Sequence, residues 1–261
     1  MVANTELQRV GLNGWRTGLA NLLRKENRAC WASRRWLVKS VLWIAGINGF
    51  TALIMIVMPQ YGDGDPVFWG VQGLFKLGSL ALAIGTIIML QDAIIGERQL
   101  GVTEWLLSKP MSRPAYVVSK LLANGLGILV ILVGLQGALG YGLMWLVTGE
   151  PFPLPPYLVG MAGLAVHTLF YLALTLMMGV LTANRRVLLG VSQGALLGGS
   201  LVLYVPGTVM MLTPWGLVNV LPAAVSGMPL PLSIWVPIGV TAILSVVCVA
   251  VTLARFERLE F

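Results

Sequence analysis

Residues 91–110 read Gln91-Asp92-Ala93-Ile94-Ile95-Gly96-Glu97-Arg98-Gln99-Leu100-Gly101-Val102-Thr103-Glu104-Trp105-Leu106-Leu107-Ser108-Lys109-Pro110. Five charges fall here, Asp92, Glu97, Arg98, Glu104 and Lys109, in a chain that is otherwise poor in charge. Long apolar runs flank the stretch on both sides. A bare connector between two membrane helices needs only a few residues. This one is longer, amphipathic and ends in proline, so it predicts a small helix presented to something outside the membrane.

The flanking runs set the class. The chain is 57% hydrophobic and 10% charged, whereas a soluble domain is about 25% charged. The apolar residues cluster into runs near the roughly 20 residues that cross a bilayer. The reading is an all-α integral membrane protein with no large soluble domain. Cys30 lies in the charged N-terminal region and Cys248 deep in the last apolar run, so no disulfide framework is expected. Neither metal-ligand spacing nor the apolar core of a signal peptide is present.

Six transmembrane helices are expected, at 41–58, 74–95, 121–147, 157–183, 187–205 and 232–254. Of the 17 basic residues, all but Lys76 fall on one side: in the N-terminal region, in the connectors after the second and fourth spans, and in the tail. The other side carries Asp63, Asp65 and Glu150. The positive-inside bias therefore puts both termini in the cytoplasm. The net charge of +7 is read as topology and lipid-headgroup contact, with no nucleic-acid partner. Three regions follow: 1–40 as a cytoplasmic N-terminal region, 41–254 as the transmembrane domain, and 255–261 as a cytoplasmic tail. The cytoplasmic connector spans 96–120.

Before the first span, Leu19, Leu22, Leu23 and Ala29 alternate with Arg24, Lys25, Glu26 and Arg28, and Trp15, Trp31 and Trp36 punctuate the region. This suits an interfacial helix, basic on one face and apolar on the other. The segment 213–231 has four prolines and no charge. It is too broken to span and too apolar for a free loop, so a re-entrant outer piece before the last helix is expected. In the fifth span, Gly190, Gly194 and Gly198 share one face and permit close backbone approach, either within the bundle or against a second chain.

Gly190-Val191-Ser192-Gln193-Gly194 fits the G-x-S-x-G pattern, which requires a strand-to-helix turn. Inside a span that context fails. The alternative reading is an intramembrane serine hydrolase with Ser192 as nucleophile and His167, the one histidine, as base. His167 is expected about 15 Å from the outer side and Ser192 about 22 Å, at 1.5 Å per residue. Asp92, at the inner end of the second span, is expected to meet a basic group at the cytoplasmic surface. Lys76 is expected to snorkel toward the outer headgroups. No G-x-x-x-x-G-K-[ST] phosphate loop occurs, and the spans hold almost no ionisable groups. A stand-alone ion-coupled carrier therefore has little to work with, and the driving force is expected to come from another polypeptide.

In the connector, Leu100, Trp105, Leu106 and Leu107 offer an apolar patch. Glu97, Arg98, Glu104, Lys109 and Arg113 offer a charged rim, and Pro110 and Pro114 are expected to stop the helix. An aromatic anchor ringed by polar groups suits a binding hot spot. A helix lying on the membrane with Trp105 at headgroup level is the other reading.

The connector resembles that of permease subunits of type 2 ABC transporters, whose pattern is E-R-x-x-G-T-x-E-x-L-L-x-x-P-x-S-R followed by a lysine at the next span. Glu97, Arg98, Gly101, Glu104, Leu106, Leu107, Pro110, Ser112, Arg113 and Lys120 match in order, while Val102 replaces the threonine and Thr103 follows it. Leu22-Leu23-Arg24-Lys25-Glu26 and Ser33-Arg34-Arg35-Trp36 resemble the family's elbow helix. The resemblance implies an ATP-driven exporter in a cell inner membrane. The connector, through Glu97, Arg98, Gly101, Glu104, Trp105, Leu106, Leu107 and Arg113, would dock on a separate ATP-binding subunit. That subunit would carry ATP and Mg, with no catalytic or metal site on this chain. A second permease chain would complete a dimer around an apolar or amphipathic substrate.

Overall fold

The computed structural model describes residues 14–32, 34–62, 64–201, 207–226 and 235–259, and every regular element among them is helical. A helical turn at Gly14–Arg16 leads into α1 (Leu19–Trp31). The long α2 (Arg34–Val57) follows. The second rod comprises α3 (Pro66–Val71), a π-helical turn at Gln72–Leu77 and α4 (Gly78–Leu90). Two short helices, α5 (Ile95–Gln99) and α6 (Val102–Leu107), form the connector. The third rod is α7 (Arg113–Gly127), a π-helical stretch at Ile128–Leu135 and α8 (Gln136–Thr148). Then come α9 (Leu154–Leu181), α10 (Arg185–Leu201), α11 (Gly207–Met211), α12 (Pro214–Val225) and α13 (Trp235–Glu257).

Among the described residues, five helical segments are long and apolar enough to cross a membrane: Leu37–Gln60, Pro66–Gln99, Arg113–Thr148, Leu154–Leu181 and Trp235–Glu257. The protein is a multi-pass membrane protein. A sixth crossing is not among the described residues. The fifth expected span is represented by α10, whose 17 residues rise only about 25 Å at 1.5 Å each. Its expected end, 202–206, lies outside the described residues, as do residues 1–13, Ser33, Asp63, 227–234 and the last two residues.

Helix α9 is the axis of the bundle and packs against α4, α10, α12 and α13. Lipid is as apolar as these side chains, so close packing rather than water exclusion must hold the helices together. Small residues permit it. A Cβ at Gly163 would lie 2.3 Å from Leu221, and one at Gly160 would lie 2.2 Å from Val225. These contacts seat α12 on α9. With 12 residues, α12 reaches about 18 Å, short of a crossing. At the acidic end Tyr157 is the hub of an aromatic cluster with Phe75, Tyr141 and Phe152. Its hydroxyl donates to the Gly137 carbonyl at 2.6 Å, and Tyr141 donates to the Phe152 carbonyl at 2.8 Å. Lys76 lies exposed on the first π-helical turn.

Candidate functional site

The connector is not the single helix its amphipathic pattern predicts. Gly101, at φ +68°, breaks it between α5 and α6, a backbone region that side chains with a Cβ rarely adopt. Pro110 follows the end of α6, but Pro114 does not stop a helix. It lies in the first turn of α7, where its missing N–H costs nothing. Ser112 caps that turn, accepting from the Ala115 N–H at 3.2 Å.

The break turns the two halves of the connector differently. Leu100, Glu104 and Trp105 are exposed, and Lys109 sits over the Trp105 ring, 3.5 Å from its centre. Leu106 is buried in the main core, with Val102 and Leu107 packed beside it. Arg98 is half-buried, with one guanidinium nitrogen lacking a hydrogen-bond partner among the described residues.

Glu97 departs from the expected charged rim. It points inward and accepts from Lys25 at 2.5 Å, from Lys120 at 2.9 Å and from the Tyr116 hydroxyl at 2.7 Å. Lys120, almost fully buried, also reaches Glu26 at 3.1 Å. Two lysines and two glutamates thus form a neutral cluster joining α1, α5 and α7. A buried lysine is costly unless paired, and here both carboxylates pair with it. Burial lowers the Lys25 pKa, but Glu97 and then Glu26 outweigh it and hold the ammonium above the ordinary lysine value. Thr103 lies one position past the pattern's threonine. It is fully buried with its hydroxyl 3.3 Å from that of Tyr116.

Further contacts brace this cradle. Tyr116 stacks on Phe256 of α13 with ring centres 5.0 Å apart. Arg113 donates to the carbonyls of Glu257 at 2.5 Å and Leu259 at 2.8 Å. It therefore holds the end of α13 and is not a free rim charge. Ser112 donates from its backbone to Thr17 at 3.0 Å and from its hydroxyl to the Trp15 carbonyl. Gly18, at φ +80°, lets this approach close, since a Cβ there would lie 2.7 Å from Met111. Asp92 meets Arg185 at 3.4 Å, and Arg185 also donates to Gln91 at 2.9 Å, so the turn before α10 is fastened to the same end. Sequence reasoning missed Lys25, Glu26, Tyr116 and Phe256 as members of this site. Their charge and aromaticity were visible, but not their convergence across the chain.

The family model described as ABC-2 family transporter protein matches residues 20–261, nearly the whole chain. The chain belongs to the ABC-2 transporter family. In this ABC-2 permease the matched stretch includes α1, the connector and every long rod. No individual curated protein matches the chain.

The hydrolase alternative finds no support in this ABC-2 permease. Ser192 on α10 and His167 on α9 are both fully buried, and no hydrogen bond joins them. His167 instead lies edge-on to Tyr171, ring centres 5.1 Å apart. Without a strand next to Ser192 there is no strained turn to present its hydroxyl. Among the described residues, a Cβ at Gly190, Gly194 or Gly198 would find no neighbouring atom within 4 Å. Gly199, one step around the helix, packs directly on Trp215.

Proposed function

We propose that this ABC-2 permease is the membrane subunit of an ATP-driven exporter in a cell inner membrane, with six spans and both termini in the cytoplasm. The α5–α6 connector docks on a separate ATP-binding subunit, which binds ATP and Mg. The observation that carries the reading is the two-sided connector. Its outer side offers Leu100, Glu104 and Trp105, while its inner side is locked through Glu97 to α1 and α7. A docking helix that transmits a push needs both an exposed anchor and a rigid back. Movement of the ATP-binding subunits would then shift α1, α7 and, through Phe256, α13 as one body.

Residues Glu97, Gly101 and Arg113 serve this docking from behind, by fixing the connector's shape. Arg98, Glu104, Trp105, Leu106 and Leu107 form or support the contact face. A second permease chain packs on the open Gly190–Gly194–Gly198 face of α10. The segment containing α12 acts as the re-entrant piece before the last span. The cargo is apolar or amphipathic. An apolar groove of about 550 Å³ between α7, α9 and α13, lined by Leu122, Leu126, Leu169 and Val246 among others, suits such a molecule.

Trp105→Ala is expected to weaken capture of the ATP-binding subunit by about 2 kcal/mol or more, the scale of a hot-spot aromatic. Co-purification and stimulation of ATP hydrolysis measure it. If both are unchanged in the variant, Trp105 belongs to the lipid interface and the docking assignment fails.

A further inference from the structure

Helix α1 buries Leu22, Glu26 and Cys30 at four-residue intervals, so these lie on one face. The opposite face presents Asn21, Arg24, Lys25 and Arg28, all exposed. The only acid on the helix, Glu26, is turned inward and held by Lys120. The outward face carries three basic side chains and no acidic one. Arg24 and Arg28 form no ion pair with any described residue. With Ala29 and Ala32 these side chains line a shallow groove of about 560 Å³.

The depth of this groove follows from the next helix. Leu37, Val38, Val41 and Leu42 of α2 are large, apolar and exposed, so in a membrane they face acyl chains. They begin within two turns of the end of α1, and Arg34 and Lys39 are exposed beside them. Trp15 is exposed at the other end, under Arg16 at 5.0 Å. Indole rings settle at headgroup level. A groove at that level lined by three basic side chains, with Arg24 and Arg28 beside the carboxylate-paired Lys25, fits a phosphate-bearing headgroup.

We propose that the Asn21–Arg24–Lys25–Arg28 face of α1 is a binding site for an anionic phospholipid headgroup, and that this lipid shares Lys25 with Glu97. Lys25 lines the groove and also pairs with Glu97 of the connector. A headgroup phosphate on Arg24 and Arg28 would lie within reach of the Lys25 ammonium and compete with Glu97 for it. Lipid charge and the seating of the connector are thereby linked. The site rests on the placement of this chain in a membrane and not on docking of an ATP-binding subunit.

The test uses the full chain alone, in vesicles of equal parts phosphatidylcholine and phosphatidylglycerol. It is extracted in mild detergent, and retained lipid is counted by mass spectrometry. The wild-type chain is expected to retain phosphatidylglycerol preferentially. Arg24→Gln and Arg28→Gln should each lower that preference about fivefold. Arg186→Gln, another exposed basic residue outside the groove, should leave it unchanged. Equal losses in all three variants would reduce the effect to bulk charge and overturn the site. Displacement of the lipid by soluble glycerol phosphate would overturn it in favour of a free phosphate ligand. Unchanged phosphatidylglycerol retention in the two groove variants would overturn it as well. The single substitutions lie on the surface, and elution as one sharp species checks that each variant is folded.

Discussion

Glu97 shows how a residue's type can be legible while its role is not. Its place in the connector pattern was readable, but its partners lie far away in sequence: Lys25 is 72 positions upstream. No local periodicity reveals a carboxylate that folds back to neutralise a buried lysine. A double-mutant cycle on Glu97→Gln and Lys120→Met, followed by thermal unfolding in detergent, should show this pairing. Glu97→Gln alone leaves Lys120 with one carboxylate, while the double variant removes both charges. The double variant is therefore expected to lose less stability than the sum of the singles, with a coupling of about 1–3 kcal/mol. Additive losses would mean that the pair does not act as a unit. Lys25 is not a switch near neutral pH. With its pKa raised, Lys25 contributes fully below the ordinary lysine value of 10.5, and that contribution is lost only as pH climbs through the folded-state value.

At the scale of elements, apolar run length located the long helices to within a few residues at most ends, since crossing a membrane leaves the chain little choice. The connector was less legible. Its apolar spacing suits one helix, and the break rests on the left-handed conformation of Gly101. Pro114 carries the same ambiguity, because proline serves equally after one helix and at the start of the next. Gly18 offers the sharpest test of how α1 and the connector fit together. Gly18→Ala meets both a left-handed φ and the Met111 contact. It is expected to destabilise the α1–connector junction by about 1–3 kcal/mol and to speed hydrogen exchange in 102–112 while leaving α9 protected. Equal exchange in variant and wild type would show that the junction is looser than its geometry implies.

For the whole molecule, one-sided charge and apolar runs revealed the membrane class, but not which helix faces are finished. The glycine face of α10 suits internal packing and a subunit contact equally in sequence, and no described residue covers it. Gly194→Cys is expected to cross-link to a second copy in native membranes under mild oxidation. Leu146→Cys, on a highly exposed outward position, is expected not to. Background is low because Cys30 and Cys248 are buried, and burial also pushes the Cys30 thiol pKa up. If no Gly194→Cys dimer forms, a second copy does not pack through this face. The stacking of Tyr116 on Phe256 and the grip of Arg113 on the end of α13 also carry a consequence in time. A ribosome delivers the connector long before it delivers α13, so the part of the brace that α13 supplies, Phe256 and the carbonyls held by Arg113, arrives last. The shape of the connector is thereby tied to a helix well over a hundred residues downstream, and loss of α13 is expected to loosen the connector's back.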